Sequence, residues 1–214
     1  MLQEPLVGAP RDRDPVALDG TAGRLLDAGL ACIARVGVSK TTLDDVSREA
    51  GCSRATLYRY FPGKPALIAA LVAREAATLA AQLRLASAAA ESLDDAVTLI
   101  VLEAQRRLSA HEALAFVLTT EPELLLPHLA FDGADRVLDA GARVVAPALA
   151  RFLDPADAAR AAEWLARVLL SYLCDPSHTV DLSDPVSVRA LVVDFVVPSL
   201  TSTIASPPRE CPHE

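Results

Sequence analysis

Residues 37–67 read GVSKTTLDDVSREAGCSRATLYRYFPGKPAL, and the order of caps and breakers in this stretch decides the fold. Gly37, having no Cβ, ends a preceding helix in the left-handed conformation at C′. Thr41 or Thr42 then caps a second helix, each with an acidic residue three places on (Asp44 or Asp45) in a weak capping box. That helix turns Leu43, Val46 and Ala50 inward and stops at Gly51. Ser53 caps a third helix, Arg54 to Phe61, with Leu57 and Phe61 inward at i, i+4. Pro62-Gly63 breaks it, and a long alanine-rich helix begins at Lys64.

Upstream, Ala22, Leu25, Leu26, Gly29, Ile33 and Val36 place a first helix over 18–36, with Asp19 as N-cap. Residues 1–17 hold Pro, Gly and mixed charge without a signal-peptide apolar run, and read as a disordered arm. Downstream, the helix from Lys64 runs to about Ala88, and further helices are expected over 93–108 and around 112–118. Glu121–Leu129 is broken between Pro122 and Pro127, and a helix over 133–152 bends at Pro147. Asp154-Pro155 and Asp184-Pro185 each give an Asp N-cap with Pro at N1, opening helices over 155–174 and 185–203. A flexible tail follows over 205–214. No strand pattern or internal repeat is visible. The expected fold is all-α: a helix-turn-helix domain over 18–63, joined to a larger C-terminal helical domain over 64–204.

Apolar residues make up 52% of the 214, enough for a buried core, whereas aromatics are 4%. No run of 18 uncharged apolar residues appears, so no membrane span and a cytoplasmic location are expected. The four cysteines and four histidines lack metal-ligand spacing, so neither a metal nor a cofactor is expected. No nucleophile elbow, phosphate loop or paired-carboxylate arrangement marks an enzyme. The net charge is −8, but it is unevenly spread. Residues 1–74 carry ten Lys+Arg against eight Asp+Glu, and residues 75–214 carry ten against twenty. The N-terminal third is therefore free to face phosphates while the rest bears the acidity.

Three short helices with a tight turn between the second and third form the layout that lays a helix in the major groove. With Leu57 and Phe61 inward, Arg54, Ala55, Tyr58 and Arg59 face outward, with Thr56 and Tyr60 at the margins. Guanidinium groups fork onto guanine, hydroxyls bond phosphate, and a small alanine permits close approach. Helix N-termini at Thr41/Thr42, Ser53 and Lys64 offer free N–H groups to phosphate.

The TT pair, the AG turn, the LYRYF box and the lysine that follows it resemble the DNA-binding signature of the TetR family of repressors, over about residues 21–72. The resemblance implies phosphate contacts from Thr42, Ser53, Tyr58, Tyr60 and Lys64, and base or groove-wall contacts from Arg54, Ala55, Thr56 and Arg59. Two departures are small: Cys52 stands where an aliphatic residue is commoner, and Ser47 where alanine is. The resemblance also implies a homodimer on a palindromic double-stranded operator and a small-molecule effector in the C-terminal domain.

The residues support both points on their own terms. Helices 155–174 and 185–203 are apolar on more than one side, and Leu165, Val168, Leu169, Tyr172, Leu191 and Phe195 are candidates for a four-helix dimer interface. Ile100, Glu103, Arg107, Phe116, Leu126, His128, Phe131 and Trp164 are candidates for an effector pocket. With Val97, Leu99, Val101, Leu102, Val117 and Leu118 also on these middle helices, the aliphatic surroundings suit a lipid-like or acyl effector. The rival reading is a helical protein-interaction module that never touches DNA.

Overall fold

The computed structural model describes residues 20–124, 134–174 and 179–198, and every regular element within them is helical. In chain order these are α1 (Gly20–Lys40), α2 (Leu43–Glu49), α3 (Arg54–Tyr60), α4 (Lys64–Ala86), α5 (Leu93–Ser109), α6 (Glu112–Thr120), α7 (Ala134–Leu149), α8 (Pro155–Cys174) and α9 (Pro185–Leu191). A 3₁₀ turn, Pro122–Leu124, follows α6, and a π turn, Val192–Val196, follows α9. The expected arm over 1–17, Asp19, residues 125–133 (which include the end of the broken segment), and residues 199–214 lie outside the described residues.

The chain builds two cores. The N-terminal one joins Leu25, Leu26, Cys32 and Ile33 of α1 to Val46 of α2, Leu57 of α3, Phe61, and Leu67 and Leu71 of α4. The C-terminal one gathers Leu83, Val97, Ile100, Val101, Leu149, Leu165, Val188 and Val192. Full burial of each large aliphatic side chain is worth about 2 kcal/mol, so each core can hold several helices whose own propensity is marginal. Helix α4 feeds Leu67 and Leu71 into one core and Leu83 into the other, so a single rigid element spans both. By length and mean hydropathy (1.5) α4 would also suit a membrane. Its Arg74, however, bonds the Gly23 carbonyl (3.3 Å) and pairs with Asp27 of α1 (2.8 Å), the anchoring of a helix packed among helices.

Helix α6 departs from a simple division at residue 63. Its Ala113 and Val117 are buried in the N-terminal core, and α6 lies along α1. His111 caps it, Nδ1 accepting from the Leu114 amide at 3.1 Å, while Nε2 lies 3.6 Å from Glu75 of α4.

The breaks carry the clearest lessons. Gly37 does interrupt α1 at positive φ, but with ψ at 171° it is extended, not left-handed helical, and one more turn runs on to Lys40. The expected αL cap is corrected accordingly; a carboxylate from elsewhere in the chain, not a local turn, satisfies the freed amides. Pro147 is accommodated inside α7. Asp154 accepts from the Ala156 and Asp157 amides (2.9 and 3.0 Å), and Asp184 from the Ser187 amide (2.9 Å), as the paired start signals predict. The continuous α-helix expected over 185–203 is also corrected: it widens after Leu191, where the Val197 amide bonds back to the Val192 carbonyl. Val188 before this i→i+5 turn and Val192 and Val196 within it are all in the core. Between α7 and α8, a Cβ on Gly141 would lie 2.9 Å from that of Ala166, so the close contact of these helices requires glycine there.

Candidate nucleic-acid interface

The turn between α2 and α3 is set by two caps. Thr42, not Thr41, caps α2: its hydroxyl oxygen accepts from the Asp45 amide at 3.2 Å, and the Asp45 carboxylate accepts from the Thr42 amide at 3.3 Å. The weak box expected there is thus a complete reciprocal one. The Thr42 side chain beside Asp45, followed by Arg48, holds the Asp45 carboxyl below the usual carboxylate range. Thr41 is buried instead, donating its hydroxyl to the Gly37 carbonyl at 2.6 Å. Ser53 caps α3 by accepting from the Thr56 amide at 3.1 Å, and its hydroxyl meets that of Thr56 at 2.9 Å. Gly51, at φ 61°, makes the turn between. Ser47 is buried with its hydroxyl on the Asp44 carbonyl (3.0 Å) and Cys52 is half-buried, so both unusual residues fit the packed turn.

Leu57 is fully buried and Phe61 nearly so, and this fixes what α3 shows to solvent. Arg54, Ala55, Tyr58 and Arg59 are exposed, Thr56 and Tyr60 half-buried, as the i, i+4 pattern requires. Arg59 lies over the Tyr60 ring, 5.3 Å from its centre, a contact that stiffens a long side chain before any ligand arrives. Arg54 is paired with Asp44 of α2. Lys64 donates to the Ser39 carbonyl at 3.0 Å, which ties the start of α4 to the α1–α2 corner and leaves two further N–H groups. The nine residues singled out for DNA therefore cluster on three successive helix starts and one exposed helix face.

Two participants could not be found by local reading. Asp44, ten residues before Arg54, becomes its partner only because of the angle between α2 and α3. Glu121 is 83 residues from the amide it accepts, that of Val38 (2.6 Å), and also accepts from Ser39 (3.0 Å). Only its place beside Pro122, at the end of a helix, hinted that it was special. Burial pushes the Glu121 carboxyl up, but hydrogen bonds from Ser39 and Val38 and the Lys64 charge outweigh it and hold it below the ordinary value.

The expected effector residues separate. Ile100 is fully buried in the C-terminal core, with Trp164 packed half-buried against it. Glu103 and Arg107 are tied to one another, with Arg106 on the same carboxylate and Gln82 accepting from Arg107 at 2.9 Å. The Arg106 hydrogen bond leads the causes that lower the Glu103 carboxyl to about 2. Phe116 is half-buried on α6. Leu126, His128 and Phe131 lie outside the described residues. A groove of about 360 Å³ is lined by Cys32, Arg35, Lys40 and Glu49, on the N-terminal helices and away from these candidates.

Of the interface candidates, Leu165 and Leu169 are buried within the single chain and serve its own core. Val168, Tyr172 and Leu191 are half-buried, and Phe195 is 67% exposed.

Residues 25–71 match the model of a family of bacterial regulatory proteins, the tetR family. An HTH-type transcriptional regulator of Mycobacterium tuberculosis (strain CDC 1551 / Oshkosh), itself uncharacterized, is 30% identical over 191 residues, 86% of this chain and 88% of its own length. Among solved structures, the TetR family repressor AlkX from Dietzia sp. strain DQ12-45-1b, implicated in biodegradation of n-alkanes, superposes with a TM-score of 0.62. It shares 24% identity, over 85% of this chain and 95% of its own. The transcriptional regulator FadR from Bacillus subtilis, in complex with stearoyl-CoA, gives 0.59 at 16% identity, over 80% and 97%.

Proposed function

The chain belongs to the TetR family of HTH-type transcriptional regulators, DNA-binding proteins and not enzymes, and from that premise we propose that it is a cytoplasmic homodimeric repressor released from a palindromic operator by an apolar, acyl-type effector. The observation that carries the reading is α3, where buried Leu57 turns Arg54, Ala55, Tyr58 and Arg59 outward together. One such helix reads only a few base pairs, so discrimination requires two half-sites and a two-fold partner. Thr42, Ser53, Tyr58, Tyr60 and Lys64 hold phosphates, while Arg54, Ala55, Thr56 and Arg59 meet bases or the groove wall. On approach, the operator takes over from Asp44 as the partner of Arg54.

The dimer face is proposed on α8 and the segment after α9, where Phe195 stands exposed, with Val168 and Tyr172 half-buried on α8. Leu165 and Leu169 stiffen that face from beneath. For the effector, the aliphatic C-terminal core and the like-folded proteins that hold stearoyl-CoA or are implicated in n-alkane breakdown support an acyl chain. Binding there tilts α4, which is rooted in both cores, and changes the spacing of the two recognition helices.

Selection of duplexes from a randomised pool, followed by gel shifts with and without stearoyl-CoA, tests the reading. An inverted-repeat consensus and at least about tenfold weaker binding with the acyl thioester, about 1.4 kcal/mol of coupling, are expected. A pool that never enriches contradicts DNA reading, and equal affinity with and without a thioester shown to bind contradicts effector release.

A further inference from the structure

The amides of Val38 and Ser39 are freed because Gly37 interrupts α1, and no local side chain caps them. The Glu121 carboxylate, 7% exposed, accepts from both. A Cβ on Gly37 would lie 2.7 Å from that carboxyl, so the glycine makes room for the carboxylate as well as taking the positive φ of 84°. Two more bonds close the corner: the Thr41 hydroxyl on the Gly37 carbonyl (2.6 Å) and Lys64 Nζ on the Ser39 carbonyl (3.0 Å). Glu121 is itself fixed, since it ends α6, whose Ala113 and Val117 are buried against α1. One buried anion therefore holds the residues that lead into Thr42, one of which Lys64 also bonds.

We propose that Glu121 is a positioning residue for DNA binding: clasping the Val38 and Ser39 amides, it holds the α1–α2 corner so that Thr42 and Lys64 meet the phosphates flanking the groove that α3 enters. The proposal rests on the phosphate roles given above to Lys64 and Tyr58. Glu121→Gln keeps the shape, but its amide offers one acceptor oxygen where the carboxylate offers two, and places an N–H donor against a second donor. Glu121→Ala leaves both amides without that partner. Gly37→Ala attacks the same clasp from the other side.

The test uses the full-length protein and a duplex enriched from a randomised pool by the wild type. In Glu121→Gln, amide exchange should speed up at Val38 and Ser39 while Leu25 and Leu26 of α1 stay protected. Duplex affinity should fall about tenfold, the scale of one charge-assisted hydrogen bond. In that background Lys64→Ala should lose most of its effect, whereas Tyr58→Ala, on α3, should keep its own. A merely structural loss would scale the two alike, and simple release of Lys64 from an acidic neighbour would enlarge the Lys64→Ala effect. Should Glu121→Gln unfold the protein, Gly37→Ala is put through the same comparison. Affinity within twofold of wild type, or an undiminished Lys64→Ala effect, overturns the proposal. If Lys64→Ala and Tyr58→Ala are both silent in the wild type, the phosphate assignment fails first, and the clasp falls with it.

Discussion

On the proposed phosphate roles of Lys64 and Tyr58, replacing either with alanine should weaken binding to every duplex alike. Loss of Lys64 from both subunits of a dimer should also lower the slope of log affinity against log salt by about two units. Arg54→Ala and Arg59→Ala should instead blunt discrimination, by about 1–3 kcal/mol per base pair read. Filter binding to the selected duplex and to single-base variants separates the two behaviours; four silent substitutions would mean that another surface faces the DNA. Which side chains point outward on α3 was legible from the spacing of Leu57 and Phe61 alone. That Arg54 would be held by Asp44, and Val38 by Glu121, was not, because both pairings depend on interhelical geometry that no local pattern encodes.

Helix starts were the most readable elements. Asp184, with two amides on its carboxylate, predicts that Asp184→Ala lowers stability by about 1 kcal/mol in chemical denaturation. Unchanged stability would show the cap to be dispensable. The Glu103 cluster on α5 predicts a pH dependence with a fixed sign. Its carboxyl is lowered to about 2, so the stabilisation is present above the ordinary value near 4.5 and is lost as pH falls toward 2. With Glu103 mostly shielded but Arg106 exposed, about 1–2 kcal/mol is at stake after solvent screening. Glu103→Gln should flatten acid denaturation across that window, and an identical curve would exclude the cluster as its source. Helix ends were harder to read than starts. The π turn after Leu191 is not announced by the apolar spacing, because valines at i, i+4 and i+8 (Val188, Val192 and Val196) would share one face of an ordinary α-helix as well.

For the molecule as a whole, the all-α class, the helix-turn-helix and the larger helical body were all readable, because caps, breakers and apolar spacing agreed over most of the chain. The association of α6 with the N-terminal core was not, since Ala113 and Val117 would fit either core by composition. Two subunits joined through the Phe195 face should sediment as a dimer, and Phe195→Arg should shift that equilibrium toward monomer while weakening operator binding. A dimer undisturbed by the charge would place the two-fold axis elsewhere. The most direct test of the central claim, that α3 enters a duplex with phosphate contacts on either side, is affinity measured against salt with the selected duplex. The account predicts a straight line of log affinity against log salt, with about three decades of affinity lost between about 50 and 200 mM. An affinity that does not change with salt would contradict it.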